Sequence, residues 1–252
     1  MKPSEKEASS MVAFHALMMP TQIVALGGSL LRPEEAEQRS IWFGQLRQMA
    51  VHFEGNARKL GIVVGGGLPA REAINLAKES TTDLYRLDTV GIAATRLNAT
   101  ILQQSLQDIG CNVCPVIPTS TNEAAELLDS HNIVIMGGTT PGHTTDAVAV
   151  ALARDCGAPH CVIATNVSHV HDCDPRANPD AKPIEELTLS ELAVITGTEA
   201  LKPGESAAVD PIAVKWAMDA SIKLAVLDGR DLSRVEDALE GRPFIGTLVK
   251  VD

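Results

Sequence analysis

Four uninterrupted apolar runs, each closing on glycine or a small polar pair, dominate this chain. They are QIVALGG (22–28), KLGIVVGGG (59–67), NIVIMGG (132–138) and HCVIATNV (160–167). None alternates apolar with polar residues, so each reads as a strand buried on both faces, the kind found in parallel sheets. Helical patterns lie between them: 33–59, 68–79, 87–109, 122–130 and 144–156. CNVCPVI (111–117) reads as a further strand, and IKLAVLDG (222–229) as another after helices near 188–195 and 210–220. A helix over 232–239 and a closing strand near 244–249 complete the chain, and 172–183 reads as a small hairpin or lid. The pattern predicts an α/β fold: an open, mostly parallel sheet sandwiched by helices in three αβα layers. With no repeat, charge block or low-complexity linker, one compact chain of two lobes is expected.

Composition narrows the partners. The formal charge is −11, with 21 Lys and Arg against 32 Asp and Glu. Nucleic acid and anionic membranes both call for a basic surface, so neither is expected as the main partner. Aromatic residues are 3% of the chain, too few for base-stacking platforms. Five cysteines form no closed disulfide framework, which points to a reducing compartment. Cys111 and Cys114 have the spacing of a metal or redox pair, but no second pair follows at ligand spacing. The alternative for them is two small apolar residues at a strand start. No apolar run approaches the ~20 residues of a membrane span. Residues 1–20 are expected to be a disordered extension or the product of a start codon upstream of Met11 or Met18. A cytoplasmic protein is the expectation.

The strand ends carry the chemistry. Gly27-Gly28-Ser29, Gly65-Gly66-Gly67, Gly137-Gly138-Thr139 and Thr165-Asn166 all follow strands and precede helices or turns. In open α/β sheets ligands sit at the carboxyl ends of strands, and glycine there lets backbone amides approach a phosphate. GxxxxGK[ST] and a helix-opening GxGxxG are both absent, so the pattern is neither a P-loop nor a dinucleotide site. It suits an anion held by amides and a few cations: Arg71, Lys202 and Lys215. Arg71, expected on the first turn after Gly67, either contacts a phosphate bidentately or is a solvated surface arginine.

The longest of these loops, GGTTPGHTTD (137–146), holds three Gly, four Thr, a Pro, a His and an Asp before an alanine-rich helix. A plain turn needs three or four residues, so this one is built to hold something. Asp88 opens LDTVGIAATRLNA; it reads as a helix N-cap or as a carboxylate for a ribose diol. Asp146 on the first helical turn either complements the helix dipole or orients cations at a phosphate site.

Taken together, LGGSLL, VVGGGLPAR, LDTVGIAATRLNA, MGGTTPGHTTDAVAVALA, ATNVSHVHDCDPRANPDAKPI, KPGESAAVDPIAVK and the closing GTLV resemble the amino acid kinase family, and within it the UMP kinases of archaeal type. The resemblance covers about 22–249. It implies a domain over 21–252, with an acceptor lobe over about 21–157 and an ATP lobe over about 158–252. It implies that Gly28, Ser29, Gly67 and Arg71 meet ATP or the transferred phosphoryl group. Thr165, Asn166, His171 and Asp174 would lie along the ATP nucleoside. Gly66, Asp88 and the run Thr139, Thr140, Pro141, Gly142, His143, Thr144 and Thr145 would hold UMP. Arg71, Asp146 and Lys215 would act in catalysis, with Arg71 and Lys215 expected at strand ends rather than on outer helix faces. Mg²⁺ would accompany ATP, no protein metal site is implied, and the assembly would be a hexamer of dimers.

One stretch departs from that family. TNVSHVH (165–171) stands where many members have TNVDGVY, placing His171 beside the adenine position and Ser168 where a carboxylate usually lies. The reaction implied is ATP + UMP → ADP + UDP, in pyrimidine nucleotide biosynthesis. No general base is needed, because the acceptor phosphate is already anionic. Two other readings stay open: another small-molecule kinase of the same fold, and a non-catalytic nucleotide-binding or storage protein.

Overall fold

The computed structural model describes residues 21–31, 36–173, 175, 178, 180–197 and 208–252. The expected extension over 1–20, Asp174 and Lys202 therefore lie outside the described residues. In chain order the elements are β1 (Gln22–Leu26), α1 (Ala36–Gly55), β2 (Leu60–Val64), α2 (Gly67–Lys78), α3 (Leu84–Gln107), α4 (Thr121–Ser130), β3 (Ile133–Met136), α5 (Thr145–Asp155) and β4 (His160–Thr165). Then follow β5 (Val170–His171), β6 (Pro183–Ile184), β7 (Glu186–Thr188), α6 (Leu189–Thr196), α7 (Pro211–Ala220), β8 (Lys223–Asp228), α8 (Leu232–Leu239) and β9 (Thr247–Lys250).

One seven-stranded sheet runs in the order β3-β2-β1-β4-β8-β9-β7. The first five strands are mutually parallel; β9 runs antiparallel to β8 and parallel to β7. Residues alternate between two cores: Ile23 and Ala25 of β1 face α4–α7, while Val24 and Leu26 face α1, α3 and α8. Both sheet faces are covered, which is why the strands read as unbroken apolar runs. The three-layer expectation holds.

Helix α5 explains the alanine-rich stretch. Ala147 to Ala153 are all buried, so the helix packs into the core on every side. Small side chains let it lie close to β1, β2 and β4 and to α4 and α7.

Three local expectations are corrected. Helix α3 starts a turn earlier than 87, because Asp83 is its N-cap, accepting from the amides of Tyr85 and Arg86 at 2.9 and 3.3 Å. Asp88 therefore sits inside the helix and is not a cap. The 111–117 strand reduces to a single bridge, Val113 to Ile133. The Cys114 amide donates to Ile133 at 2.8 Å, but Pro115 has no N–H to extend the ladder. The closing strand begins at Thr247, and the short β7 beside it was not expected. The 172–183 stretch does connect a two-stranded antiparallel pair, β5 with β6.

Cys111 and Cys114 are buried and free, as is Cys161; Cys156 and Cys173 are also free.

Candidate active site

The order in which the strands are laid down reverses between β1 and β4: β2 and β3 are added on one side of that seam, β4 and β8 on the other, all five strands being parallel. Such a switch point opens a crevice at the strands' carboxyl ends. Gly27, Gly28 and Ser29 leave β1 there, and Thr165 and Asn166 leave β4 beside them; the Gly27 amide donates to Ala164 at 2.8 Å.

The loops after β1 and β2 interlock. A Cβ on Gly28 would lie 2.3 Å from the Gly67 nitrogen and 2.4 Å from the Gly65 oxygen. Gly67 has φ +58°, and its own Cβ would lie 2.5 Å from the Gly28 carbonyl. Only glycine permits this approach at both positions. Gly66 is the N-cap of α2, and no side chain caps that end. The first amides of α2 thus face the crevice edge without a side-chain acceptor, a geometry suited to an anion.

Helix α3 pins these loops from beneath. Asn98, fully buried, donates from Nδ2 to the carbonyls of Gly65 at 2.7 Å and Gly66 at 3.1 Å. Thr95 Oγ1 accepts from the Gly138 amide at 2.7 Å and donates to Ile92 at 2.7 Å. A Cβ on Gly137 would meet that same hydroxyl at 2.4 Å. Three glycine loops are thus brought to one sheet edge, two of them anchored on consecutive turns of one helix.

The 139–145 loop bridges two helices. Asp88 Oδ2 accepts from the Gly142 amide at 2.7 Å on one side. On the other, Thr144 is the N-cap of α5 and donates its hydroxyl to Asp210 Oδ2. The His143 ring meets Trp216 of α7 edge-on, with centroids 4.8 Å apart. Thr145 Oγ1 lies 3.4 Å from where a Gly65 Cβ would be, so the loop closes back onto the β2 turn. Pro141 and Thr139 are partly buried, and Thr140 is exposed.

Asp146 and Asp210 form an acidic pair. Asp210, 1% exposed, caps α7 through the Ile212 amide at 3.0 Å. Burial first, and the Asp210 charge second, push the Asp146 carboxyl up to about 7. The charged neighbour of Asp146 is thus a carboxylate.

The expected cations are placed differently from the expectation. Arg71 lies a turn beyond Gly67 in α2, the helix on which it was expected, and Lys215 lies mid-helix in α7; both are exposed, and neither is at a strand end. A cation that sequence reading passed over does lie at a strand end: Arg230, after β8, donates to Asp228 through Nε at 2.9 and 3.0 Å. It adjoins the β4 end, where the Gly229 amide donates to Thr165 at 2.8 Å. On that side Ser29 and Asn166 are exposed, and the His171 Nδ1 lies 3.1 Å from the His169 carbonyl oxygen.

Four residues given no role from sequence now have one: Thr95, Asn98, Asp210 and Trp216. The first two stand inside GIAATRLNA, each next to a buried alanine, Ala94 and Ala99. Asp210 and Trp216 carried no signal beyond a cap and an aromatic ring.

The amino acid kinase family profile matches residues 20–228. The chain belongs to the amino acid kinase family. Within known members it is 39% identical over 233 residues to a uridylate kinase of Methanospirillum hungatei, covering 92% of this chain and 95% of that one. A uridylate kinase of Methanococcus vannielii is 38% identical, covering 90% of this chain and 98% of that one. The crystal structure of uridylate kinase from Archaeoglobus fulgidus superposes with a TM-score of 0.75 at 33% identity, over 91% of this chain and all of that one. UMP kinase from Ureaplasma parvum, at 23% identity and TM-score 0.71, shares the fold. The family's architecture thus accounts for the open sheet and its glycine-edged crevice.

Proposed function

We propose that this chain transfers the terminal phosphoryl group of ATP to UMP, giving ADP and UDP in pyrimidine nucleotide biosynthesis. The observation that carries the reading is the meeting of three glycine loops at one sheet edge, closed by loop 139–145 and Asp88, in a chain whose relatives over nine-tenths of its length are uridylate kinases.

In this reading Gly66, Asp88 and residues 139–145 hold UMP, with Asp88 on the ribose. Gly28, Ser29, Gly67, Thr165, Asn166, His171 and Asp174 face ATP. Arg71 and Lys215 neutralise charge on the migrating phosphoryl group, and the amides of the glycine turns do the rest. Both are exposed on helices, so each would reach the phosphates through its long side chain. Asp146 keeps such cations oriented. Mg²⁺ would accompany ATP, where it would supply screening of the donor phosphates. The Asp146 carboxyl, raised by desolvation and by the neighbouring Asp210 charge, would gain from any nearby positive charge.

The protein acts in the cytoplasm as a hexamer of dimers. No described helix is long and apolar enough to cross a membrane. The acceptor half of the domain covers about 21–157 and the ATP half about 158–252.

Coupled ADP release with UMP, CMP, AMP and isopentenyl phosphate tests the reading. UMP should be turned over well ahead of the rest. Preference for another acceptor would reassign the substrate, and nucleotide binding without turnover would make the chain a binding protein.

A further inference from the structure

Helix α7 touches the acceptor loop at two successive residues. Asp210, at its start, accepts the Thr144 hydroxyl while capping the helix. Trp216, six positions on, meets the His143 ring edge-on at 4.8 Å and 73°. The first contact is a hydrogen bond to a buried carboxylate and the second an aromatic pair, so the two resist displacement independently. The helix cannot follow the loop freely, because Pro211, Ala213, Val214 and Ala217 are buried against the core. The loop's position and the helix's position are therefore set together. Lys215 stands between the two contact residues in sequence, directly beside Trp216.

We propose that Trp216 and Asp210 are positioning residues that seat the acceptor loop in register with Lys215. The inference rests on the reading of loop 139–145 as the UMP site. UMP touches the loop, the loop holds α7 through His143 and Thr144, and α7 carries the cation for the phosphoryl group. The loop is thereby seated in a fixed register with Lys215. Trp216 touches neither substrate in this scheme.

Steady-state kinetics separates positioning from a purely structural role. Trp216→Leu should raise the UMP KM roughly three- to tenfold, the range of an aromatic pair, and lower kcat, with the ATP KM unchanged. Trp216→Phe keeps a ring edge for His143 and should restore most of both. His143→Ala should raise the UMP KM at least as far, since His143 also lies in the proposed UMP loop, and adding Trp216→Leu to it should cost nothing more, because their shared contact is already gone. Met218→Ala, an exposed change on the same helix, should leave all constants unaltered. A lowered melting temperature with UMP and ATP constants moved equally would overturn the proposal, as would additive single effects. A raised UMP KM with kcat untouched would overturn the link to Lys215. The functional reading fails separately: if UMP neither raises the wild-type melting temperature nor is phosphorylated, the loop is not its site.

Discussion

Asp88 accepts a hydrogen bond from the Gly142 amide at 2.7 Å, across 54 positions of sequence. The carboxylate proposed for the ribose also holds the acceptor loop. Oδ2 takes this amide, and in the proposed role Oδ1 would accept a ligand hydroxyl. Asp88→Asn keeps an acceptor for the amide but loses the charge, while Asp88→Ala loses both. Preference for UMP over dUMP should fall about tenfold in each, in line with the loss of a hydrogen bond to a charged group. Only the alanine variant should also loosen the loop, seen as faster proteolysis or amide exchange near residue 142. Unchanged sugar discrimination in both would leave Asp88 a loop anchor alone.

Gly28 and Gly67 face each other too closely for any side chain. Gly67→Ala adds a left-handed backbone penalty of about 1–2 kcal/mol to the overlap, for a total near 2–4 kcal/mol. At this chain length that corresponds to a fall in Tm of roughly 5–15 °C. Gly44→Ala serves as the comparison: it lies within α1 with nothing inside 4 Å of the added carbon. That change should be neutral or stabilising by up to about 1 kcal/mol. Equal melts for the two variants would refute the close approach.

Asp146 gives the chain a pH-dependent weakness. Its carboxyl titrates near 7 in the folded state against an ordinary 3.8, so the folded chain binds this proton more tightly than the unfolded one. Stability from this group is therefore full at low pH and is lost as pH rises from about 4 to about 7. Asp146→Asn cannot ionise and should melt higher than wild type at pH 8, with the difference shrinking toward pH 5. Turnover should fall in the same variant. Denaturant melts across that range check the first half, and a constant difference at all pH values would contradict it.

Lys215 and Arg71 divide the catalytic charge in the proposed mechanism. Lys215→Ala should lower kcat by about 10²-fold or more with little change in nucleotide affinity, as expected for a group acting in the transition state. Arg71→Ala should lower kcat and weaken UMP binding as well. Folded, assembled variants are established first by size and thermal melt. Near-normal turnover in both would leave the glycine amides and magnesium as the whole of the charge stabilisation.

The sheet, its two-sided burial and the gathering of glycines at one edge were legible, because continuous apolar runs and glycine at strand ends are local features. Asp88 shows the limit. An aspartate near a helix start reads as a cap, and nothing local reveals that Asp83 takes that place and frees Asp88 to reach Gly142. The 111–117 run shows another: its apolar content is that of a strand, but one proline stops the ladder. Arg71 and Lys215 were expected at strand ends because motif order says nothing of where along a helix a side chain emerges. Thr95 and Asn98 act through contacts with distant backbone, which only the packing of α3 under the sheet edge discloses.

The interlocked glycine turns also bear on the order in which the chain assembles. Neither turn can take its final shape alone, since the backbone of each is the wall against which the other rests. The segments that bring them together are parallel neighbours, joined only through the long crossover of α1, and closing such a loop is slow compared with forming a helix. The cradle therefore exists only once β1 and β2 have docked, and competence to grip a phosphate should be gained or lost with that pairing as a unit.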